Sequence, residues 1–254
     1  MVEVFAVASG KGGTGKTTST LALGMALARE YDVTVVDADT GMANLLFHAG
    51  LTDAETTLHD LLLADTDGAV SAATYERHGM TVVPCGTSLA AFEAADPDRL
   101  RHVVAALAGD CDVLLLDSPA TLAARSAVLP VVLADRVVVV LQPTIPSVSD
   151  GLKVGEYARS YGTETAGVVF NKVHGDLGRV ADRVERQFGA GTLATVPDSD
   201  VVRAARDAGE PLLTHAPESR AASAFREAAA TLDPEPRRPG RVADRFRDVV
   251  PAGP

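Results

Sequence analysis

Residues 10–18 read Gly-Lys-Gly-Gly-Thr-Gly-Lys-Thr-Thr and lie between an apolar run, Val4–Ala8, and a helix-forming stretch, Leu21–Glu30. A strand, a glycine-rich turn and a helix in that order leave the chain few folds to adopt. Gly12, Gly13 and Gly15 let backbone N–H groups point inward without Cβ collisions, and the helix start adds partial positive charge. Gly10 to Thr17 satisfy G-x-x-x-x-G-K-[ST], the pattern of a phosphate cradle, with Thr14 inside the loop and Thr18 just after it. In such a cradle Lys16 reaches the β- and γ-phosphates and the Thr17 hydroxyl ligates Mg²⁺. Ordinary loops of this kind lack the second lysine, Lys11. Fold stability gives no reason for a cation there, whereas neutralising phosphate charge does.

Lysine usage supports the same conclusion. Lysine and arginine total 23, yet lysine occurs only at positions 11, 16, 153 and 172. A chain this ready to use arginine has kept lysine where a compact ammonium suits a phosphate. Lys153 has no such assignment and is expected on a solvated helix face.

At 254 residues and 46% hydrophobic, the chain can bury the core of one α/β domain. A net charge of −11 argues against bulk electrostatic binding to nucleic acid, while leaving room for a local basic patch. Many aspartates, few lysines and alanine-rich helices match the composition expected in a salt-loving organism with a GC-rich genome. Cys85 and Cys111 form no C-x-x-C pair, so neither a disulfide framework nor a zinc site is indicated, and both are expected to be small buried hydrophobes. The N-terminus begins directly with a strand and no apolar run approaches the ~20 residues of a membrane span, so a cytoplasmic protein is expected.

Strands are predicted at Glu3–Ala8, Val33–Asp37, Met80–Pro84, Val113–Asp117, Val137–Leu141, Gly167–Asn171 and Thr192–Val196. They are almost continuously apolar, as parallel strands buried on both faces are. Helical patterns fill the gaps at Lys16–Glu30, Leu58–Ala64, Pro97–Gly109, Ala120–Leu129, Ser147–Tyr161, Leu177–Phe188, Asp200–Ala208 and Pro217–Leu232. This alternation predicts an α/β fold, a doubly wound and mostly parallel sheet with helices on both faces, over residues 1–232. A Pro/Arg-rich linker is expected at 233–240 and a short amphipathic or disordered tail at 241–254.

Ligands in such folds collect at the carboxyl ends of the strands, where Asp37, Asp117 and Asn171 are expected. Asp37 and Asp39, two residues apart at a strand end, suit a Mg²⁺–phosphate site. There Asp37 would hold Mg²⁺-bound water and Asp39 would orient an attacking water. The alternative is a turn whose aspartates make local backbone bonds. Asp117 closes an apolar strand, as the second carboxylate of a Mg²⁺ site does.

Together GKGGTGKTT, DADTGMANL, DVLLLDSPA and VPDSDVVRAARDAGEPLL resemble the MinD/ParA family of deviant-Walker P-loop ATPases, nearest to its MinD branch, over about residues 2–232. The resemblance implies slow, Mg²⁺-dependent hydrolysis of ATP to ADP and phosphate. It implies a homodimer when ATP is bound, with Lys11 reaching the partner subunit's nucleotide and Lys16 serving its own. It assigns Thr17 as the Mg²⁺ ligand, Asp39 as the water-orienting residue and Asp117 as a supporting Mg²⁺ residue. Asn171 would pair with the adenine edge, and Pro197 and Asp198, in the loop after the last strand, would flank the ring. The residue-level alternatives are a strand-terminating Asn and an ordinary turn.

MinD proteins resemble one another in a C-terminal basic amphipathic helix that lies on the membrane. Arg241–Val250 has the place for it, with Val242, Phe246, Val249 and Val250 at helical spacing, but Asp244 and Asp248 weaken its charge. Weak contact with the inner face of the cell membrane, strengthened by dimerisation, is the expectation, and a disordered tail the alternative. The implied role is spatial positioning of a division site or polar structure, with an activator or cargo adaptor that the sequence does not name. A ParA-like partition ATPase is the rival, holding nonspecific DNA through Arg179, Arg183, Arg186, Arg203 and Arg206. Their simpler assignment is to solvated faces paired with Asp182, Glu185 and Asp207. A cluster-carrying redox ATPase is discounted, since residues 118–121 after Asp117 hold no cysteine.

Overall fold

A computed structural model describes residues 2–63, 70–120 and 125–235. Its strands are β1 (Glu3–Ala8), β2 (Val33–Asp37), β3 (Tyr75–Arg77), β4 (Met80–Val83), β5 (Val113–Asp117), β6 (Arg136–Leu141), β7 (Glu164–Val173) and β8 (Thr192–Pro197). They form one sheet in the order β3-β4-β2-β5-β1-β6-β7-β8. Every neighbouring pair is parallel except β3–β4. β1, β2 and β5 are buried along their whole length, because a strand flanked on both edges and covered on both faces has no side that meets water.

The helices are α1 (Lys16–Leu27), α2 (Leu45–His48), α3 (Leu58–Leu62), α4 (Leu89–Ala94), α5 (Leu100–Leu107), α6 (Arg125–Leu133), α7 (Ile145–Ser160), α8 (Arg179–Phe188), α9 (Asp200–Asp207), α10 (Leu212–His215) and α11 (Arg220–Leu232). Two apolar clusters, one on each sheet face, form the core. One joins the sheet to α3, α5, α6, α7 and α8, the other to α1, α2, α10 and α11. The doubly wound sheet predicted from the sequence is therefore present.

Several boundaries differ for local reasons. β3 was not anticipated: two half-buried residues flanking the exposed Glu76, with a charge at two of the three, carry no apolar signature, and the β3–β4 hairpin turns on His78 and Gly79, both at positive φ. β7 continues past Asn171 to Val173, so Asn171 does not end its strand, and Lys172 adopts φ 56° within it. Pro197 is the last residue of β8 rather than part of the following loop, and pairs with Val173. α6 is described over Arg125–Leu133, beyond the predicted end at Leu129, and holds Pro130; residues 121–124 of the predicted helix lie outside the described residues. The expected linker from 236 on, and the tail 241–254, lie outside the described residues.

The helix that follows the phosphate loop sits close to the sheet. A Cβ on Gly24 of α1 would stand 2.8 Å from Met80 Sδ and 2.9 Å from Val35 Cγ2. We expect Gly24→Val to lift α1 from β2 and lower stability by about 1–3 kcal/mol despite valine's better helix propensity, since over-packing of a dense core outweighs it. Urea denaturation would measure this, and an unchanged midpoint would contradict the packing described.

Candidate functional site

β1 lies between β5 and β6, and the loop leaving its carboxyl end meets the ends of β2 and β5 beside it. Gly13 and Gly15 have φ of 73° and 96°, in the region that side chains avoid. A Cβ on Gly15 would also collide with the Asn171 amide, and one on Gly10 with the backbone of Asp150 in α7. Gly15 is thus required both by the turn and by what packs against it, Gly13 by the turn and Gly10 by its neighbour.

α1 begins at this loop without a side-chain cap and without an acid in its first turn. Its free N–H groups and positive end therefore face the crevice with no protein anion to meet them, which is the arrangement an external phosphate satisfies. Lys16 stands in that first turn and is only 8% exposed.

Three carboxylates surround the loop. Asp37 and Asp117 are register partners at the ends of β2 and β5. Asp117 accepts the Thr17 hydroxyl at 2.6 Å on one oxygen and the Thr20 hydroxyl at 3.0 Å on the other. Thr20, which also bonds Lys16 C=O at 3.0 Å, was not anticipated from the sequence. Its signal is only a hydroxyl one helical turn after Lys16. Asp37 accepts the N–H groups of Asp39 at 3.3 Å and Leu45 at 3.2 Å, and so braces the loop that carries Asp39. Asp39 itself accepts the Met42 N–H at 3.2 Å. This local bonding is the turn chemistry that the sequence left open, and it coexists with a position on the pocket wall.

Burial is the main force on all three acids. It raises Asp37 well above the usual carboxylate range, helped by repulsion from Asp117 and then Asp39. It raises Asp117, against the pull of Lys16 and the two threonine hydroxyls. It pushes Asp39 up to about 6, again opposed by Lys16. The site holds more negative charge than its own cations offset, and a hard divalent cation fits that excess. Among the described residues no three His, Cys, Asp or Glu side chains form a metal cage by themselves. A Mg²⁺ ion suits this, because it is usually held by few protein oxygens together with phosphate and water.

A pocket of about 430 Å³ opens over the loop. Of the sequence candidates, Gly12, Gly13, Gly15, Lys16, Thr17, Thr18, Asp39, Asn171, Pro197 and Asp198 line it. Gly10, Lys11, Thr14, Asp37 and Asp117 are not on its wall. Lys11 is exposed. Asn171 Nδ2 donates to Thr14 C=O at 2.7 Å and its Oδ1 accepts the Lys172 N–H at 2.9 Å, so it ties the loop to β7. One N–H and one lone pair of its amide remain for a base edge. Lys172 Nζ bonds Gly13 C=O at 2.8 Å. Met42, Asn44, His48, Val202, Arg203 and Arg206 also line the pocket. Met42, Asn44, Val202, Arg203 and Arg206 belong to the two segments already singled out, though with no pocket role assigned to them, whereas His48 lies outside any motif and is brought in by the fold. Lys153 is exposed and paired with Asp150 at 2.8 Å, and both cysteines are free and buried, as expected.

A glycine loop on a central parallel strand, an uncapped helix start and a threonine–aspartate pair define a P-loop nucleotide-binding protein. Residues 5–212 match the CobQ/CobB/MinD/ParA nucleotide binding domain, and the chain belongs to that family. It is 37% identical over 235 residues to an uncharacterised ATP-binding protein of Methanocaldococcus jannaschii, covering 91% of this chain and 88% of the relative. It is 31% identical to the septum site-determining protein MinD of Thermotoga maritima, covering 84% and 81%. Among solved structures, the Pyrococcus furiosus cell division ATPase MinD superposes with a TM-score of 0.84 at 33% identity, covering 92% of this chain and 99% of that one. Pyrococcus horikoshii MinD, complexed with Mg-ADP, gives 0.82 at 32% identity, covering 92% and 96%.

Asp39 holds its proton to about pH 6 in the folded chain and releases it near pH 4 when unfolded. Its contribution to stability is therefore full below pH 4 and lost as pH rises through 6. In nucleotide-free protein the melting temperature of Asp39→Asn, relative to wild type, should accordingly climb between pH 4 and 7. A difference that stays flat over this range in differential scanning fluorimetry would refute the burial argument.

Proposed function

We propose that this chain is a MinD-like ATPase, which binds ATP with Mg²⁺, dimerises around it and separates on slow hydrolysis, and so positions a division site or polar structure. The observation that carries the proposal is the uncapped, acid-free start of α1 beside Lys16, Thr17 and a buried carboxylate cluster. The Mg-ADP bound by Pyrococcus horikoshii MinD supports the choice of ligand.

Gly10–Thr18 would wrap the phosphates, with Gly12, Gly13, Thr14 and Gly15 presenting N–H groups and Lys16 meeting the terminal phosphates. Thr17 and Asp39, backed by Asp37 and Asp117, would hold Mg²⁺, which when bound offsets phosphate charge. Because the Thr17 proton is committed to Asp117, its oxygen keeps lone pairs free for a cation. Asp39 would orient the attacking water, so positioning and charge supply the catalysis and turnover is slow. Lys11 would cross to the nucleotide of a second copy. Asn171, Pro197 and Asp198 would seat the adenine. Asp198 is paired with Arg203 at 2.8 Å, and Arg206 with Asp207 at 2.8 Å. These pairs weaken the case for a DNA-binding face on α9.

No helix among the described residues is long and apolar enough to cross a membrane. From its sequence pattern alone, Arg241–Val250 is proposed as a weak peripheral contact at the inner face of the membrane, effective only when a dimer presents two copies.

Three variants test the catalytic assignment. Lys16→Ala should lose MgATP uptake in calorimetry. Lys11→Ala should bind nucleotide yet stay monomeric in light scattering. Asp39→Ala should bind and dimerise while phosphate release falls about 100-fold or more. Wild-type turnover by Asp39→Ala would overturn the role given to that residue. A chain ending at Leu232 should lose ATP-dependent flotation with anionic vesicles; equal flotation by both forms would rule out the tail as the contact.

A further inference from the structure

α7 and α8 run side by side on one sheet face and touch where Gly155 meets Phe188; a Cβ on Gly155 would stand 2.9 Å from that ring. Towards their N-terminal ends they enclose a groove of about 670 Å³. Its apolar lining includes Val148, Leu152 and Val184, and its mouth holds Ile145, 88% exposed, and Val180, 44% exposed. Solvent would not be left against such side chains by a groove whose only task was to close the core.

Along the α8 rim stand Arg179, Arg183 and Arg186, at i, i+4 and i+7 and so on one side of the helix. All three are exposed, and among the described residues none has a hydrogen-bond or ion-pair partner. Glu185, which could have served them, has its Oε1 on the Thr192 N–H at 2.9 Å, and the exposed Asp182 pairs with none of the three. Elsewhere Arg136, Arg203 and Arg206 are each held by a carboxylate. In a chain of net charge −11, three unmatched guanidinium groups beside an open apolar groove form a distinct basic island.

We infer that this groove binds an amphipathic helix of a partner protein whose apolar stripe enters between α7 and α8 and whose flank carries Asp or Glu against the three arginines. Two splayed helices offer the ridges and furrow that a third helix fills, and the arginines set its charge and direction. The groove stands apart from the phosphate-loop pocket, so its occupant would be the adaptor that the positioning role calls for, yet its binding can be read without nucleotide.

The test is a phage-displayed library of 16-residue amphipathic helices whose polar flanks are all Glu, all Lys or all Gln, selected on the full chain. Glu-flanked helices should be enriched, and in fluorescence anisotropy the best of them should bind Arg183→Glu/Arg186→Glu about tenfold or more weakly. Changing its Glu flank to Lys should restore affinity for that variant, while Leu152→Asp should weaken both. ATP turnover of Arg183→Glu/Arg186→Glu should match wild type, which separates this result from a fault in the nucleotide site. Enrichment of Lys- or Gln-flanked helices, no enrichment, or binding indifferent to the arginine changes would each overturn the inference. So would tighter arginine-dependent capture of duplex DNA or phosphatidylglycerol vesicles than of any helix.

Discussion

Two aspartates from neighbouring parallel strands meet at the same level of the sheet, and a third follows two residues later. Asp37 and Asp117 are register partners, and neither touches bulk water. Such a cluster is unfavourable for the folded chain unless charge is compensated, and what compensates it in part is built nearby: Lys16, the hydroxyls of Thr17 and Thr20, and the backbone N–H groups of Asp39 and Leu45. The residual deficit is the chemical definition of the site. A phosphate alone would worsen the repulsion, and a divalent cation alone would leave the α1 N–H groups unanswered. A phosphate and a hard cation together satisfy both, which is why the geometry favours a metal–nucleotide complex over either component.

The same economy explains how the loop is held before any ligand arrives. Gln142 Nε2 and Lys172 Nζ both bond Gly13 C=O, at 3.0 and 2.8 Å, while Asn171 bonds Thr14 C=O. These contacts come from β7 and the residue just after β6, so the loop is fixed from the side opposite to β2 and β5. A cradle preformed in this way loses less order on binding than a free glycine loop would. The lysine distribution then has a structural reason at Lys172 as well as at Lys16: a slender ammonium fits against a carbonyl at the pocket rim, where a planar guanidinium would not.

Most of the fold was legible because buried parallel strands advertise themselves as apolar runs and the phosphate loop has a spacing of its own. The central strands and the loop residues fall where the sequence placed them. What was not legible has physical causes in common. β3 pairs at an edge and is half exposed, so it needs no apolar pattern. β7 runs through Asn171 with a register shift between Phe170 and Val173, where Lys172 has positive φ, although a strand-ending polar residue there reads as a stop. α2, α4 and α10 are four to six residues long, less than the two turns over which a helical pattern can repeat. Thr20 and His48 belong to the site region only through tertiary packing, and no local pattern marks a residue whose role is decided by what the fold brings opposite it.

The two surfaces described here share one element. The N-terminal end of α7 carries Ile145 and Val148 of the groove, and Asp150 of the same helix lies so close to the phosphate loop that only glycine fits at position 10. A side chain at Gly10 would push α7 away, and α7 is one wall of the groove. The loop's backbone and the groove's wall therefore cannot be placed independently of each other. Contact of this kind is not coupling by itself, since coupling needs an element with two arrangements that both ligands bias. The closeness at Gly10 does identify where such an element would have to be, because any nucleotide-driven shift of the loop towards α7 meets backbone at once and has no flexible side chain to absorb it.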